Sequence, residues 1–399
     1  MTQHSVLIVG GGTAGISVAA RLRRHDPALE ITLIEPSEFH YYQPLWSLVG
    51  AGVFAKERTR RPQSDCIPPG VEWLKTRVVR FEPAEHALLT ADGQWHSYEQ
   101  LIVAVGIQLD WHKIEGLPPI SSGVMGADTG ICSNYSYETV DSTWQALQAF
   151  SEGNALFTLP ATPVKCAGAP QKIMYLTDDY LRLRGMRERA RIWYAASSAS
   201  IFGVEKYART LRQVVERKHI QTLFRHHLVR VDVAERKATF QHLDSGEQRT
   251  LDYNLLHVTP PQSAPDVIKQ SPLANPDGWV EVDKHSLQHK RFPDVFALGD
   301  ASSLPTSRTG AAVRRQAPVL VENLLAHRAR QRLQASYSGY SSCPLITGYG
   351  RLVLAEFDYD GQPMESFPID QARERYSMYL FKAYALPALY WRAILRGRL

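Results

Sequence analysis

One pattern recurs along the chain: a short apolar run, a break of glycine or other small residues, then a longer stretch mixing apolar and polar positions. VLIVGGGTAGISVAARLRR (6–24) predicts a buried strand, a glycine turn and a helix. EITLIEP (30–36), LIVAVG (101–106) and NALFTLP (154–160) predict further buried strands. ARIWYAASSASIFGVEKYARTLRQVV (190–215) predicts a strand and a helix from about Val204, and DVFALGDASSLPTSRTGAAVRRQ (294–316) predicts a strand, a Gly-Asp corner and a helix. Strands alternating with helices predict an α/β chain. At 399 residues it exceeds one simple core.

The last apolar run is different. YSMYLFKAYALPALYWRAIL (376–395) carries only Lys382 and Arg392 as charges and has Pro387 in its middle. A central proline and these charges disfavour a spanning helix. A kinked helix or helix pair lying in a membrane interface fits the pattern, and an apolar helix closing a core or a dimer interface fits it too. Charge sharpens this. The net charge is +5, and residues 371–399 hold six basic residues against one acid, Glu374, so the basicity belongs to the tail. A basic tail points to an anionic membrane surface and away from nucleic acid.

Composition is that of an ordinary globular protein, with 44% hydrophobic and 21% charged residues. The N-terminus enters an apolar strand within a few residues, so no leader segment is expected. Four cysteines do not make a secreted disulfide scaffold. None has C-x-x-C spacing or a histidine cluster beside it, so no metal site is expected.

The first turn supplies G-x-G-x-x-G as Gly10, Gly12 and Gly15. This serves a tight turn, backbone approach to a pyrophosphate and close helix packing, with the helix N-terminus turned to the phosphates. Glu35 follows Gly15 by 20 residues, where a carboxylate binds ribose hydroxyls and repels a 2′-phosphate. The Gly-Asp corner, Gly299 and Asp300, with a helix starting near Arg308, Thr309, Gly310 and Ala311, resembles flavoproteins of the disulfide-reductase type. That resemblance implies FAD, with Gly299 and Asp300 on its ribityl chain and pyrophosphate and the helix N-terminus aimed at the flavin ring. The second strand–turn–helix unit should hold NAD(P)H, but its turn, SSASIFG, keeps only Gly203. Without a close-approach glycine the nicotinamide site is expected to be lost, so electrons reach FAD from another donor.

Cys166, in PVKCAGAPQK, sits between two prolines with Lys165 and Lys172 close by. Cys343 lies far downstream in a Gly/Ser/Tyr-rich segment. Both are expected outside regular secondary structure. An inert core thiol is one reading of each. The absence of a nicotinamide site favours a redox pair beside the flavin. The lysines either stabilise a thiolate or are solvated surface charges. Cys66 reads as a structural loop cysteine, and Cys132 as a candidate third thiol.

The stretches PVKCAGAPQKIMYL, HVTPPQSAPDV, SLPTSRTGAAV, GYSSCPLITGYGRLVLAEFDYDG and FPIDQARERYSMYL closely resemble the sulfide:quinone oxidoreductases of the mitochondrial type, over essentially the whole chain. The resemblance implies two redox-active cysteines, matching Cys166 and Cys343. It implies FAD contacts at Thr13, Ala14, Glu35, Gln43, Val78, Asp300 and the Arg308–Ala311 helix start. The implied fold is two Rossmann-like dinucleotide-binding domains and a C-terminal quinone and membrane-docking region. The FAD domain is split into 1–120 and 252–340, the second unit spans 121–251 and carries Cys166, and the C-terminal region is 341–399.

The implied reaction oxidises hydrogen sulfide to sulfane sulfur through a persulfide, passes two electrons through FAD to ubiquinone, and hands the sulfur to sulfite, glutathione or another small thiol. Tyr349, Phe357 and Tyr379 are expected at the quinone pocket because they flank Cys343 and the tail. Lys382 is expected to face the flavin pyrimidine. Lacking the transit segment of mitochondrial members, the chain is expected to be bacterial and peripheral on the cytoplasmic side of the inner membrane, and a homodimer is allowed. A flavocytochrome-type sulfide dehydrogenase and a non-catalytic FAD-binding redox partner are the alternatives; the membrane tail counts against the first.

Overall fold

The computed structural model describes residues 2–399. The first apolar run forms the strand Thr2–Val9 at the middle of a seven-stranded sheet, between the parallel strands Ile31–Ile34 and Trp95–Val103. Glu72–Leu74 extends one side. On the other, the long strand Trp95–Val103 takes two partners. Its far end pairs with Val295–Ala297, and its near end with Ala87–Thr90, which leads on to Val78–Glu82. The helices Thr13–His25 and Gly310–Arg328 pack together over this sheet. Covered on both faces, residues Val6–Val9 and Leu101–Val103 are buried without interruption, as a parallel sheet requires.

The second sheet is wholly parallel, in the order Ile131–Cys132, Leu255–His257, Gly153–Leu159, Ala190–Ala196 and Gln221–Phe224. Leu255–His257 corrects the boundary expected at 251/252. That strand lies between the first and third strands of the second sheet, where its Leu-Leu pair is wholly buried. A three-stranded antiparallel sheet, His226–Asp232, Lys237–His242 and Gln248–Asp252, precedes it in sequence. The small ribbon Gln108–Leu109 with Gln262–Ser263 joins the connecting segments between the two sheets.

The helix Ala169–Leu183 is pinned at its far end by ions. Asp178, fully buried, accepts from Arg182, Arg187 and Lys218. Burial pushes its carboxyl up, but these three cations outweigh it and hold it below the usual range. Asp179 accepts from the Tyr349 backbone N–H at 2.8 Å, which ties the tip of the hairpin Ser341–Gly348/Arg351–Phe357 to the same helix. Helix and hairpin therefore meet in one register.

The C-terminal segment runs as the helix Tyr376–Leu380, a π-helical turn Phe381–Ala385, the helix Leu386–Arg392 and a 3-10 turn Ile394–Arg396. Pro387 stands in the first turn of the third piece, where its missing N–H costs nothing. The end of this segment returns to pack on the helix Thr13–His25. Among the described residues no helix is long and apolar enough to cross a membrane.

Candidate active site

The glycine turn has the shape its sequence asks for. Gly10 has φ +106°, which other residues rarely adopt, and a Cβ on Gly15 would lie 1.9 Å from the Gly10 carbonyl oxygen. A Cβ on Gly12 would meet nothing within 4 Å, so open space lies before the start of the helix. The first N–H groups of that helix have no partner within it and face outward as donors. Glu35 accepts the N–H of Gly11 and of Ser37, each at 2.7 Å, and burial raises its proton affinity. Gln43 is exposed at the head of a short 3-10 turn, and Val78 is buried at the start of its strand.

Gly299 and Asp300 form the corner after Val295–Ala297, and Gly299 takes φ +72°. The Asp300 carboxylate is half-buried and accepts no hydrogen bond from any described residue. Burial raises its proton affinity, against the pull of Lys165 and Arg308. Thr309 caps the helix Gly310–Arg328 by accepting the Ala312 N–H at 3.1 Å. An open glycine cradle at one helix N-terminus, a desolvated carboxylate without donors and a second helix N-terminus beside it fit the pyrophosphate, ribityl hydroxyls and ring of FAD.

Cys166 is held in an unusual conformation. Its φ is 50°, the left-handed region, which costs a non-glycine residue roughly 1–2 kcal/mol. Contacts on both sides impose it. The Cys166 N–H donates to the Arg308 carbonyl at 2.9 Å, and its own carbonyl accepts the Ala169 N–H at 2.8 Å and the Tyr135 hydroxyl at 3.3 Å. One residue earlier, the Lys165 N–H donates to the Gln262 side chain at 2.9 Å. The helix Ala169–Leu183 starts at once, with Pro170 in its first turn, so the thiol lies at a helix N-terminus.

Lys172 is one turn into that helix and only 4% exposed, and its Nζ donates to Cys166 Sγ at 3.2 Å. Of the two readings of this lysine, the solvated one fails, because helical spacing folds it back onto the thiol. Lys165 is a different case. Its ammonium lies over the Trp46 ring and faces Asp300, and burial brings its pKa down to about 8 against that carboxylate. Lys382 is 2% exposed, and its Nζ donates to the Pro44 carbonyl at 2.7 Å. Burial and then Lys172 lower its pKa to about 7, while Cys166 pulls it up. Two buried lysines thus share the surroundings of one thiol.

Cys343 lies opposite Ala355 within the strand Ser341–Gly348, against the expectation that it avoids regular structure. Pro344 beside it is compatible because a two-stranded ribbon is all edge. This strand packs on the helix that follows Cys166. The four cysteines are free thiols. Burial first, and then the neighbouring Cys166, push the Cys343 thiol well up, with Lys172 acting the other way. The remaining two are ordinary core thiols. Cys66 is buried at the end of a short helical turn, not in a loop, and burial pushes it up to about 11. Cys132 is fully buried in a strand and pushed up to about 12.

The three quinone-pocket tyrosine and phenylalanine expectations do not converge. Tyr349, at the hairpin tip, donates to the Ala51 carbonyl at 2.8 Å and lies near Tyr379. Phe357 is at the other end of the hairpin, on the order of 20 Å of strand away. It packs edge-on against Phe202, in the turn that would hold a nicotinamide dinucleotide. Tyr207, at the start of the following helix, donates to the Glu356 carbonyl at 3.0 Å. The hairpin base therefore lies against this turn, and between them opens a cleft of about 490 Å³, lined by Pro163, Val164, Gly203, Arg308, Phe357 and Tyr359 among others.

Several residues of the site carry no sequence signal of their own. Tyr135, His40 and Tyr390 reach it only through folding. Gln262 had one, a polar side chain directly after two prolines in HVTPPQSAP.

Comparison with known proteins agrees with this arrangement. The pyridine nucleotide-disulphide oxidoreductase family profile matches residues 4–143. The mitochondrial sulfide:quinone oxidoreductase of Mus musculus is 49% identical over 99% of this chain and 87% of its own length. That of Dictyostelium discoideum is 42% identical over 98% and 86%. The crystal structure of the sulfide:quinone oxidoreductase from Aquifex aeolicus superposes with a TM-score of 0.83 at 18% identity, over 100% of this chain and 92% of that one, a likeness of fold. These relatives at high identity are mitochondrial and lend no support to a bacterial source. With such identity along nearly its whole length, this chain belongs to the sulfide:quinone oxidoreductase family.

Proposed function

We propose that the chain is a sulfide:quinone oxidoreductase in which Cys166 and Cys343 form the redox pair, FAD relays two electrons, and ubiquinone receives them. The observation that carries this reading is the Lys172 ammonium, 3.2 Å from Cys166 Sγ, beside a second cysteine on the facing strand. Gly10, Gly12, Thr13, Ala14 and Gly15 would hold the FAD pyrophosphate, Glu35 a ribose, and Gly299 and Asp300 the ribityl chain. Gln43, Val78, Arg308, Thr309, Gly310, Ala311 and Lys382 would border the remainder. When bound, FAD supplies a two-electron acceptor beside the thiols and a donor to quinone.

The two cysteines are electrostatically unequal, and this gives the exchange a direction. In a Cys166–Cys343 disulfide, hydrosulfide attacks the Cys343 sulfur. A new S–S bond forms there, the old one breaks, and the electron pair leaves on Cys166. A thiolate leaves most readily where a cation stabilises it, which favours departure at Cys166 beside Lys172 over Cys343, whose burial opposes charge. A nucleophilic acceptor such as sulfite or a small thiol takes the outer sulfur of the Cys343 persulfide, leaving a Cys343 thiolate. Closing the disulfide again releases two electrons. The cleft between Phe357 and the Gly203 turn is bordered by Pro163 and Arg308, neighbours of the Cys166 bend, and would be the place where a small acceptor docks.

We assign quinone and membrane to the C-terminal segment. Tyr376, Leu380, Tyr384 and Leu389 are exposed along the C-terminal segment, with Arg373 and Arg392 also exposed nearby. Apolar and aromatic groups flanked by arginine suit a segment lying in a bilayer interface, as a peripheral attachment. Tyr349 and Tyr379, on the hairpin tip and this segment, are the candidates to line a quinone path. The test is direct. Cys166→Ser and Cys343→Ser should each bind FAD normally, yet lose sulfide-dependent reduction of a quinone analogue. Near-normal turnover in either variant rules out the two-cysteine scheme.

A further inference from the structure

The C-terminal segment also has an inward face, and it ends on the glycine turn. Tyr390 is 4% exposed, and its hydroxyl oxygen lies 2.7 Å from Thr13 Oγ1 and 2.5 Å from His40 Nε2. His40 Nδ1 is 3.2 Å from the Gly11 carbonyl oxygen. A carbonyl only accepts, so Nδ1 carries the proton. Burial lowers the His40 pKa to about 4 and keeps the ring neutral, so Nε2 is bare and accepts. Tyr390 must then donate to His40, which leaves its oxygen to accept from Thr13. The direction of every bond is fixed: Thr13 to Tyr390, Tyr390 to His40, His40 to Gly11. Both ends of this relay are in the turn, on either side of Gly12 and its open space. Gln63 adds a second donor to the Gly11 carbonyl at 2.8 Å. The neighbouring Trp391 is buried under the Arg61 guanidinium, 4.2 Å from its ring centre.

We propose that Tyr390 is a positioning residue for the FAD pyrophosphate turn, and that through it FAD binding and the seating of the C-terminal segment are coupled. The loaded chain then presents the outer face of the segment, Tyr376, Leu380, Tyr384 and Leu389, to lipid, and the FAD-free chain presents it poorly. By reciprocity a lipid surface that holds the segment tightens FAD. This second half rests on the membrane-docking reading above; the relay itself does not.

The full chain, stripped of FAD and titrated with it by flavin fluorescence, tests the relay. Tyr390→Phe keeps the ring and removes both hydrogen bonds. The FAD dissociation constant should rise roughly ten- to hundredfold, and added FAD should raise the melting temperature by less than it does in the unaltered chain. An unchanged constant overturns the proposal. Should the variant not fold, the unaltered chain decides it: FAD should slow tryptic cleavage at the exposed Arg392 by about tenfold. Equal rates with and without FAD overturn it. Flotation with phosphatidylcholine–phosphatidylglycerol vesicles tests the coupling, since the loaded chain should float several-fold more than the stripped one. Equal flotation of both overturns the coupling. If the loaded chain does not float at all, the docking reading fails with the coupling, and the role of Tyr390 at the turn is judged by the dissociation constant alone.

Discussion

Lys172 and Lys382 surround one thiol but act on it differently, because only Lys172 touches the sulfur. A charge-assisted hydrogen bond is worth about 1.5–3 kcal/mol. Lys172→Met should therefore slow alkylation of reduced Cys166 by iodoacetamide at neutral pH by about tenfold or more, with Lys172→Arg restoring part of the rate. Equal alkylation in all three proteins would remove the ammonium from the mechanism. Lys382 makes its contribution through burial. Its pKa is about 7 in the fold, set by desolvation and then by Lys172, against an ordinary value near 10.4 in the unfolded chain. Below about pH 7 both states carry the proton, and the fold bears the full cost of a buried charge. Between about 7 and 10.4 the unfolded chain holds more protons, so this contribution makes stability rise with pH. Lys382→Met should accordingly raise the melting temperature of the FAD-free protein most near pH 6, with the gap closing towards pH 10. A gap that is constant with pH would mean Lys382 stays charged in the fold.

At the scale of elements, the C-terminal segment serves two surfaces at once. Its periodicity distributes Tyr376, Leu380 and Tyr384 outward while Lys382, Tyr390 and Trp391 turn in. Removing residues 376–399 would therefore strip buried contacts from the glycine turn as well as any lipid contact, and could not separate docking from core packing. Charging the outer face can. Tyr376 and Tyr384 are 64% and 54% exposed, so Tyr376→Asp with Tyr384→Asp should leave FAD binding within twofold and weaken vesicle flotation by about tenfold. Undiminished flotation would show that another surface docks. The hairpin carrying Cys343 also has two ends with separate neighbours: its tip is tied to Asp179 and its base covers Phe202. That is why residues adjacent in sequence to Cys343 do not share one pocket.

Over the whole molecule, the legible part was whatever repeats with a short period or a fixed spacing. The strand–turn–helix units were readable because a strand buried on both faces must be an unbroken apolar run, and because Gly10 and Gly15 admit no side chain. What borders the second turn was not legible: the hairpin base that packs on Phe202 comes from about 150 residues downstream. The strand Leu255–His257 eluded its assignment for a similar reason, since a three-residue run says nothing about which of two parallel sheets it joins.

The sequence by itself determined the α/β plan, the dinucleotide turn and the family, and it singled out the two cysteines proposed as the redox pair. Each is a local feature, or a long run of residues like those of known relatives. The tertiary structure decided how the chemistry is poised. It set Cys166 in a left-handed bend against Arg308, brought Lys172 onto its sulfur, buried Cys343 on the facing strand, and carried Tyr390 back to Thr13 across 377 positions. These are desolvation and hydrogen-bond effects between residues far apart in the chain, and no spacing rule encodes them.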